Sequence, residues 1–264
     1  MIQLIISDID STLIARDGTL PPENGLALRE AARRGVRVAL CTIRKRDSAL
    51  QIAERLGVEC TLACNGGATI FDEAGTVLHE LNIPLELARE MAALADQHEL
   101  PLLATVDEYN LYRPGSHPAA HIQARGEDVA AMLPALVRPP SRLIVRGETG
   151  AAMLMREFAH APLRFVRHYH ADGTLADATI THIDATKESA LAFLCAAWGV
   201  SAADVLAIGD AEADVGMLRM AGVGVAVGDA QADARAAANW VAPPAGEGGV
   251  AAAVRRFCLD DAGL

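Results

Sequence analysis

Aromatic residues are scarce: five Phe, three Tyr and two Trp make up 4% of the 264 residues. A chain so poor in rings is a weak stacking platform for nucleobases. Its net charge of −11 also argues against nucleic acid as the main partner. Cysteines are few, and five is an odd number. No Cys-x-x-Cys pair occurs, and Cys60 and Cys64 are not followed by a His pair at finger spacing, which excludes an ordinary zinc finger. The five thiols are expected to be buried or free, in a reducing compartment. Long apolar runs are missing: Asp8 and Asp10 break the first one, and no basic leader precedes it. Neither a signal peptide nor a membrane span is expected, and the cytoplasm is the default location. There is no Walker loop and no Gly-x-Ser-x-Gly elbow.

What is present is a chain 52% hydrophobic and 22% charged, enough for a large core and too apolar for disorder. Leu4-Ile5-Ile6 reads as a strand buried on both faces, ending at Asp8 and Asp10. A helix over 26–34 follows, then a strand over 36–41 ending at Thr42, a helix over 46–56 and a strand over 60–63 before Asn65-Gly66-Gly67. Two short strands, 69–71 and 77–81, flank the hairpin turn Asp72-Glu73-Ala74-Gly75. The pattern predicts an α/β fold with a doubly wound, mainly parallel, Rossmann-like core sheet. Residues 84–182 differ. They are more polar, carry most of the histidines, and predict helices over 85–97, 128–136 and 150–159 among five short strands. That is an inserted α+β domain of about 100 residues. The α/β pattern resumes with a helix over 187–198, strands over 205–208 and 223–227, a helix over 214–220 and a closing helix over 248–257. The expected domains are therefore a core of 1–83 with 183–264 and an insert of 84–182.

Asp8/Asp10, Thr42, Lys187 and Asp210/Asp214 all fall where strands end or just beyond. Ligands of open α/β sheets bind outside the carboxyl ends of the strands, so this rule gathers distant residues into one cleft. Carboxylates so gathered repel unless a cation joins them. All-oxygen ligation suits Mg2+, with Asp8 and Asp210 as ligands and Asp214 ligating or orienting beside them. Lys187 can neutralise a phosphoryl oxygen and Thr42 can donate a hydrogen bond to another, which makes a phosphoryl-transfer site.

Four segments carry a family resemblance: Asp8-Ile9-Asp10-Ser11-Thr12-Leu13, Cys41-Thr42-Ile43-Arg44, Lys187 within 184–191, and Gly209-Asp210-Ala211-Glu212-Ala213-Asp214. Together they resemble the haloacid dehalogenase (HAD) superfamily. The insert lies between the second and third, as in the Cof-type subfamily with a type IIB cap. The resemblance covers nearly the whole core and implies a Mg2+-dependent phosphatase acting on a small phosphorylated metabolite, such as a sugar phosphate or phosphorylated cofactor. It implies Asp8 as a nucleophile forming an aspartyl-phosphate, and Asp10 as general acid and base that also gives its backbone carbonyl to the metal. Thr42, Lys187 and the backbone N–H groups of Ile9 and Ile43 would hold the phosphate, and Asp210 and Asp214 would complete the metal site. Ser11 stands where glycine is common in the subfamily, Ile43 where glycine is usual and Ala213 where asparagine is. Alternatives are a phosphomutase and a weakly active or non-catalytic metabolite-binding regulator; the insert, the length and the Asp-x-Asp spacing argue strongly against a two-component receiver. In the insert, Asp107, Tyr109, Arg113, His117 and His121 are candidates for substrate contact, whereas His168-x-His170 reads as strand surface. Arg44 is expected to pack or pair near the site. A monomer or homodimer is expected.

Overall fold

The computed structural model describes residues 1–117, 125–170 and 172–260. The first stretch runs β1 (Leu4–Ser7), α1 (Pro22–Arg33), β2 (Arg37–Cys41), α2 (Arg46–Leu56), β3 (Thr61–Cys64), β4 (Thr69–Phe71) and β5 (Val77–Glu80). The insert holds α3 (Leu85–Gln97), β6 (Leu102–Val106), β7 (Tyr109–Tyr112), β8 (Gly126–Asp128), α4 (Met132–Ala135), β9 (Arg142–Arg146), α5 (Glu148–Glu157), β10 (Leu163–Tyr169) and β11 (Leu175–His182). The chain closes with α6 (Lys187–Trp198), β12 (Val205–Gly209), α7 (Val215–Met220), β13 (Val223–Ala226), α8 (Ala232–Ala237), β14 (Trp240–Val241) and α9 (Gly249–Val254). Two compact units result: Met1–His79 with the chain from Thr186 onward, and Glu80–Ala185.

The core unit is built on an eight-stranded sheet ordered β14-β13-β12-β1-β2-β3-β4-β5. Pairing is parallel from β14 to β3 and antiparallel between β3 and β4. Its central strands, β1, β2 and β12, are apolar on both faces because both faces are covered. Alternate residues leave in opposite directions: Ile5, Val38, Leu40, Leu206 and Ile208 join one apolar cluster, while Leu4, Ile6, Ala39, Cys41, Val205 and Ala207 join another. The first cluster takes α1, α2 and α9 through Leu28, Ile52, Leu56, Val250 and Val254. The second takes α6 and α7 through Leu191, Leu194, Met217 and Leu218. The chain moves outward from β1 through β2 and β3, then returns on the other side at β12. The reversal therefore lies between β1 and β12, which is where such sheets open a crevice.

The inserted unit is a six-stranded sheet ordered β10-β11-β9-β6-β7-β8, antiparallel except for β7 with β8. Ala88, Met91, Ala92 and Ala95 of α3 and Ala151 and Leu154 of α5 pack with Leu102, Leu143, Val145 and Ile180 of its strands. The helix expected over 128–136 is mostly absent. β8 occupies 126–128 and the helix is only Met132–Ala135. Proline lacks the N–H and clashes with the preceding turn, so Pro134 is tolerated only in a first helical turn. The Asp96 carboxylate fixes that turn, accepting from Met132 N at 2.7 Å and Leu133 N at 2.8 Å. The closing helix is also shorter than expected, ending at Val254 before a π turn over Arg255–Leu259; α8 and β14 have no counterpart in the expectation.

Among the described residues, no helix is long and apolar enough to cross a membrane. All five cysteines are free thiols, Cys258 half-buried and the others buried. Asp96 also pairs with Arg113 Nε at 3.0 Å. Asp96→Ala thus removes a helix cap and an ion-pair partner together. It should lower stability by at least about 2 kcal/mol in urea unfolding followed by circular dichroism.

Candidate active site

Three neighbouring strands end at the same level. Ser7 is in register with Leu40 of β2 and Ile208 of β12. Thr42, Asp8 and Asp210 therefore emerge side by side, each within two residues of that level. Asp8 N still donates to Ile208 O at 2.9 Å, which extends the ladder by one bond. The loop that follows is pinned from below: Ile9, Leu13 and Ile14 are buried in the core cluster, and Ile9 O accepts from Leu13 N at 3.0 Å and Ile14 N at 2.9 Å. This leaves Asp8 and Asp10 projecting the other way. Ser11 has φ +58°, the left-handed region, which explains why glycine suits this position.

Lys187 is the first residue of α6, whose capping box is formed by Thr186 and Ser189. Its ammonium lies 2.6 Å from Asp8 Oδ1 and 2.6 Å from Asp214 Oδ1. Its approach depends on Gly67, where φ is +99° and a Cβ would sit 2.2 Å from Thr186 O. Asp214 is fully buried, and its Oδ2 accepts from Asp210 N and Ala211 N, both at 3.0 Å. Gly209 gives it room, since a Cβ there would lie 2.5 Å from the Asp214 side chain. Asp210 Oδ1 accepts from Thr12 Oγ1 at 2.9 Å, and its carbonyl accepts from Gln231 N at 2.7 Å. Carboxylate oxygens of Asp8, Asp210 and Asp214 all lie within 4.8 Å of one another.

The electrostatics follow from burial. Burial lifts the Asp8 carboxyl well above the ordinary carboxylate range; Lys187 pulls it down, and Asp214 and Asp210 push it back up. Burial likewise raises Asp210, against the hydrogen bond from Thr12. For Lys187, burial opposes the charge, yet Asp214 and Asp8 outweigh it and the ammonium is held more firmly than usual. The neighbouring Cys41 thiol is pushed up to about 12 by burial, so it is inert. One ammonium among three buried carboxylates leaves an excess of negative charge. A hard divalent cation fits that donor set.

Thr42 is buried, its Oγ1 accepting from Arg44 N at 3.2 Å while its hydroxyl proton stays available to donate. Asp10 lies apart from the acidic trio. Its carboxylate is held by Arg44 and is 48% exposed. Ile9 is wholly buried, and Ile43 is half-buried in the loop after β2.

The insert candidates divide. Tyr109 is exposed. His117 stacks on Tyr112, centroids 4.3 Å apart, and pairs with Asp128. Asp107 pairs with Arg138. Arg113, expected to contact substrate, is instead buried, with Nη1 donating to Ala95 O at 2.8 Å and Leu100 O at 2.9 Å beside Asp96. Its guanidinium closes the end of α3. His121 lies outside the described residues. His168 meets Thr179 Oγ1 at 3.1 Å, and His170 falls beyond the end of β10. Thr12 carries no role in its motif, and its hydroxyl orients Asp210. Gln231, which ties the Asp210 loop, has no sequence signal at all.

The family model of the haloacid dehalogenase-like hydrolases matches residues 5–254. The chain belongs to that family. It is similar to a pyridoxal phosphate phosphatase of Escherichia coli, 28% identical over 255 residues, covering 90% of this chain and 92% of the relative. A phosphoglycolate phosphatase of Pyrobaculum islandicum is 29% identical over 241 residues, covering 90% and 88%. Among solved structures, a sugar phosphatase of HAD subclass IIB shares the fold with a TM-score of 0.79 at 22% identity, covering 97% of this chain and 99% of that one. Matches this complete agree with a Cof-type member of the superfamily.

Asp8 and Asp210 have folded pKa values above those of the unfolded chain, so the folded state binds their protons more tightly. In cation-free buffer their contribution to stability is fully present below the unfolded carboxylate values and is lost as pH rises through the folded ones. Lys187→Met removes the compensating charge. It should cost about 3–5 kcal/mol at neutral pH and less in acid, read from urea midpoints between pH 4 and 8.

Proposed function

We propose that the protein is a Mg2+-dependent phosphatase that hydrolyses a small phosphorylated metabolite through an aspartyl-phosphate on Asp8. The carrying observation is the buried Lys187 ammonium 2.6 Å from Asp8 Oδ1, with Asp210 and Asp214 close by. Family membership and two phosphatase relatives support it.

In this reading Asp8 attacks phosphorus with one carboxylate oxygen. The ester P–O bond breaks, and the leaving oxygen takes a proton from Asp10. Asp10 then takes a proton from water, the water oxygen attacks phosphorus, the Asp8–phosphorus bond breaks and phosphate departs. Lys187, the Thr42 hydroxyl and the N–H groups of Ile9 and Ile43 hold the phosphoryl oxygens. Asp8, Asp210, Asp214 and the Asp10 carbonyl are the residues assigned to Mg2+. When bound, the ion neutralises charge on the phosphoryl group and the acids. Lys187 orients Asp8 and limits the charge repulsion that would otherwise protonate it. Asp214 fixes both Lys187 and the N–H groups leading into the Asp210 loop. Of the insert residues, the exposed Tyr109 and His117 are the candidates for contact with the organic part of the ester. The free thiols fit a cytoplasmic setting.

Two outcomes test this. With a panel of phosphate esters scored by phosphate release, Asp8→Asn should lose at least about 10³-fold in turnover while its circular dichroism stays native, as expected when the attacking atom is removed. Wild-type activity in that variant excludes the nucleophile, and an isomerised ester without free phosphate points to a mutase. Separately, chelator should abolish turnover and Mg2+ restore it. Mg2+ at 100 times its Kd should also stabilise the fold by about 2.7 kcal/mol, seen as a rise in Tm at neutral pH. Full activity in chelator would refute the metal assignment.

A further inference from the structure

The mechanism above leaves Arg44 without a task, yet its side chain is among the most constrained at the site. Nε lies 2.8 Å from Asp10 Oδ2 and Nη2 lies 2.5 Å from Asp10 Oδ1, a two-pronged fork on the carboxylate. Nη1 donates to Ser48 Oγ at 3.0 Å, in the first turn of α2. The backbone is held as well, Arg44 N by Thr42 Oγ1 at 3.2 Å and Arg44 O by Asn65 N at 2.9 Å. Asp10 has far less of its own to fix it. Its side chain is 48% exposed, and the left-handed Ser11 follows it. An exposed ion pair contributes only about 0–1 kcal/mol, so stability is a poor account of the fork. A rigid guanidinium that meets both carboxylate oxygens selects one orientation among those open to an exposed aspartate.

The geometry points to Arg44 as a positioning residue that acts through Asp10, setting the carboxylate that exchanges a proton with the leaving group, with Ser48 setting Arg44 in turn. The inference rests on the proposed phosphatase reading. As the ester bond breaks, its electron pair goes to the leaving oxygen, which takes the Asp10 proton. One Asp10 oxygen must leave the fork to deliver that proton while the other stays held. The worse the leaving group, the more the rate depends on that delivery. Arg44 should therefore matter for poor leaving groups and little for good ones, whereas an arginine that merely bound phosphate would matter equally for all.

The test is kcat/KM across substituted phenyl phosphates of rising phenol pKa, with Mg2+ present. This ratio reports steps through formation of the phospho-enzyme, so the shared hydrolysis step does not mask the result. Arg44→Ala should lose on the order of 10–100-fold with unsubstituted phenyl phosphate, within the roughly 10²–10⁴-fold that general acid catalysis supplies. With p-nitrophenyl phosphate it should lose less than about 3-fold, because a leaving group that good needs little protonation. Arg44→Lys keeps the charge without the fork and should show the same steepened dependence; it also decides the question if Arg44→Ala does not fold. Ser48→Ala should show a smaller change of the same kind. In an Asp10→Asn background, Arg44→Ala should add no dependence on the leaving group. A uniform loss across the series, no loss, or full rescue by lysine overturns the positioning role. Wild-type protein inert on the whole series, or an active Asp8→Asn, overturns the phosphatase reading and this inference with it.

Discussion

The site depends on one buried ammonium shared by two carboxylates. Lys187 Nζ sits between Asp8 and Asp214 at 2.6 Å from each, in a place where a lone charge of either sign would be costly. Remove it and three acids face one another with nothing to offset them. Keep it and Asp8 is oriented at the end of β1 while Asp214 is free to organise the loop after β12. The rest of the core unit delivers these groups. Parallel strands bring Asp8, Thr42 and Asp210 to a common level, and the capped start of α6 brings Lys187 to meet them.

Two glycines show how tightly that delivery is constrained. Gly67 lets the turn after β3 lie against the carbonyl of Thr186, and Gly209 lets Asp214 fold back over the end of β12. Neither touches a reacting atom. Both act by leaving out a methyl group where two backbones or a backbone and a carboxylate must meet. Asp10 is different: it is half-exposed and borrows its order from Arg44, whose own order comes from α2 and from the turn at Asn65. Asp10 is thus oriented by a chain of contacts outside the acidic cluster.

Much of the core was legible because its signals are local. A continuous β-branched run buried on both faces has few readings, so the sequence places β1, β2 and β12 within a residue or two and the helices at 46–56 and 187–198 in full. The acids at their ends then followed from the geometry of parallel sheets. Sequence pattern and structure part where tertiary contacts outweigh local pattern. The 128–136 segment has helical spacing, but Pro134 and the Asp96 cap restrict it to one turn. β14 is two residues long and exists because β13 lies beside it. Arg113 reads as a candidate for substrate contact, and only its neighbours show that it closes α3.

By itself the sequence determined the alternation of strands and helices, the position of the insert, and which residue types stand at the strand ends, because backbone propensity and burial pattern are written residue by residue. Partnerships were decided only in the folded chain. That Lys187 divides itself between Asp8 and Asp214, that Thr12 holds Asp210, and that Arg44 rather than the acidic cluster holds Asp10 are contacts between residues 27 to 198 positions apart. No local pattern encodes them, since each is a matter of distance and angle fixed when the sheet and its helices pack.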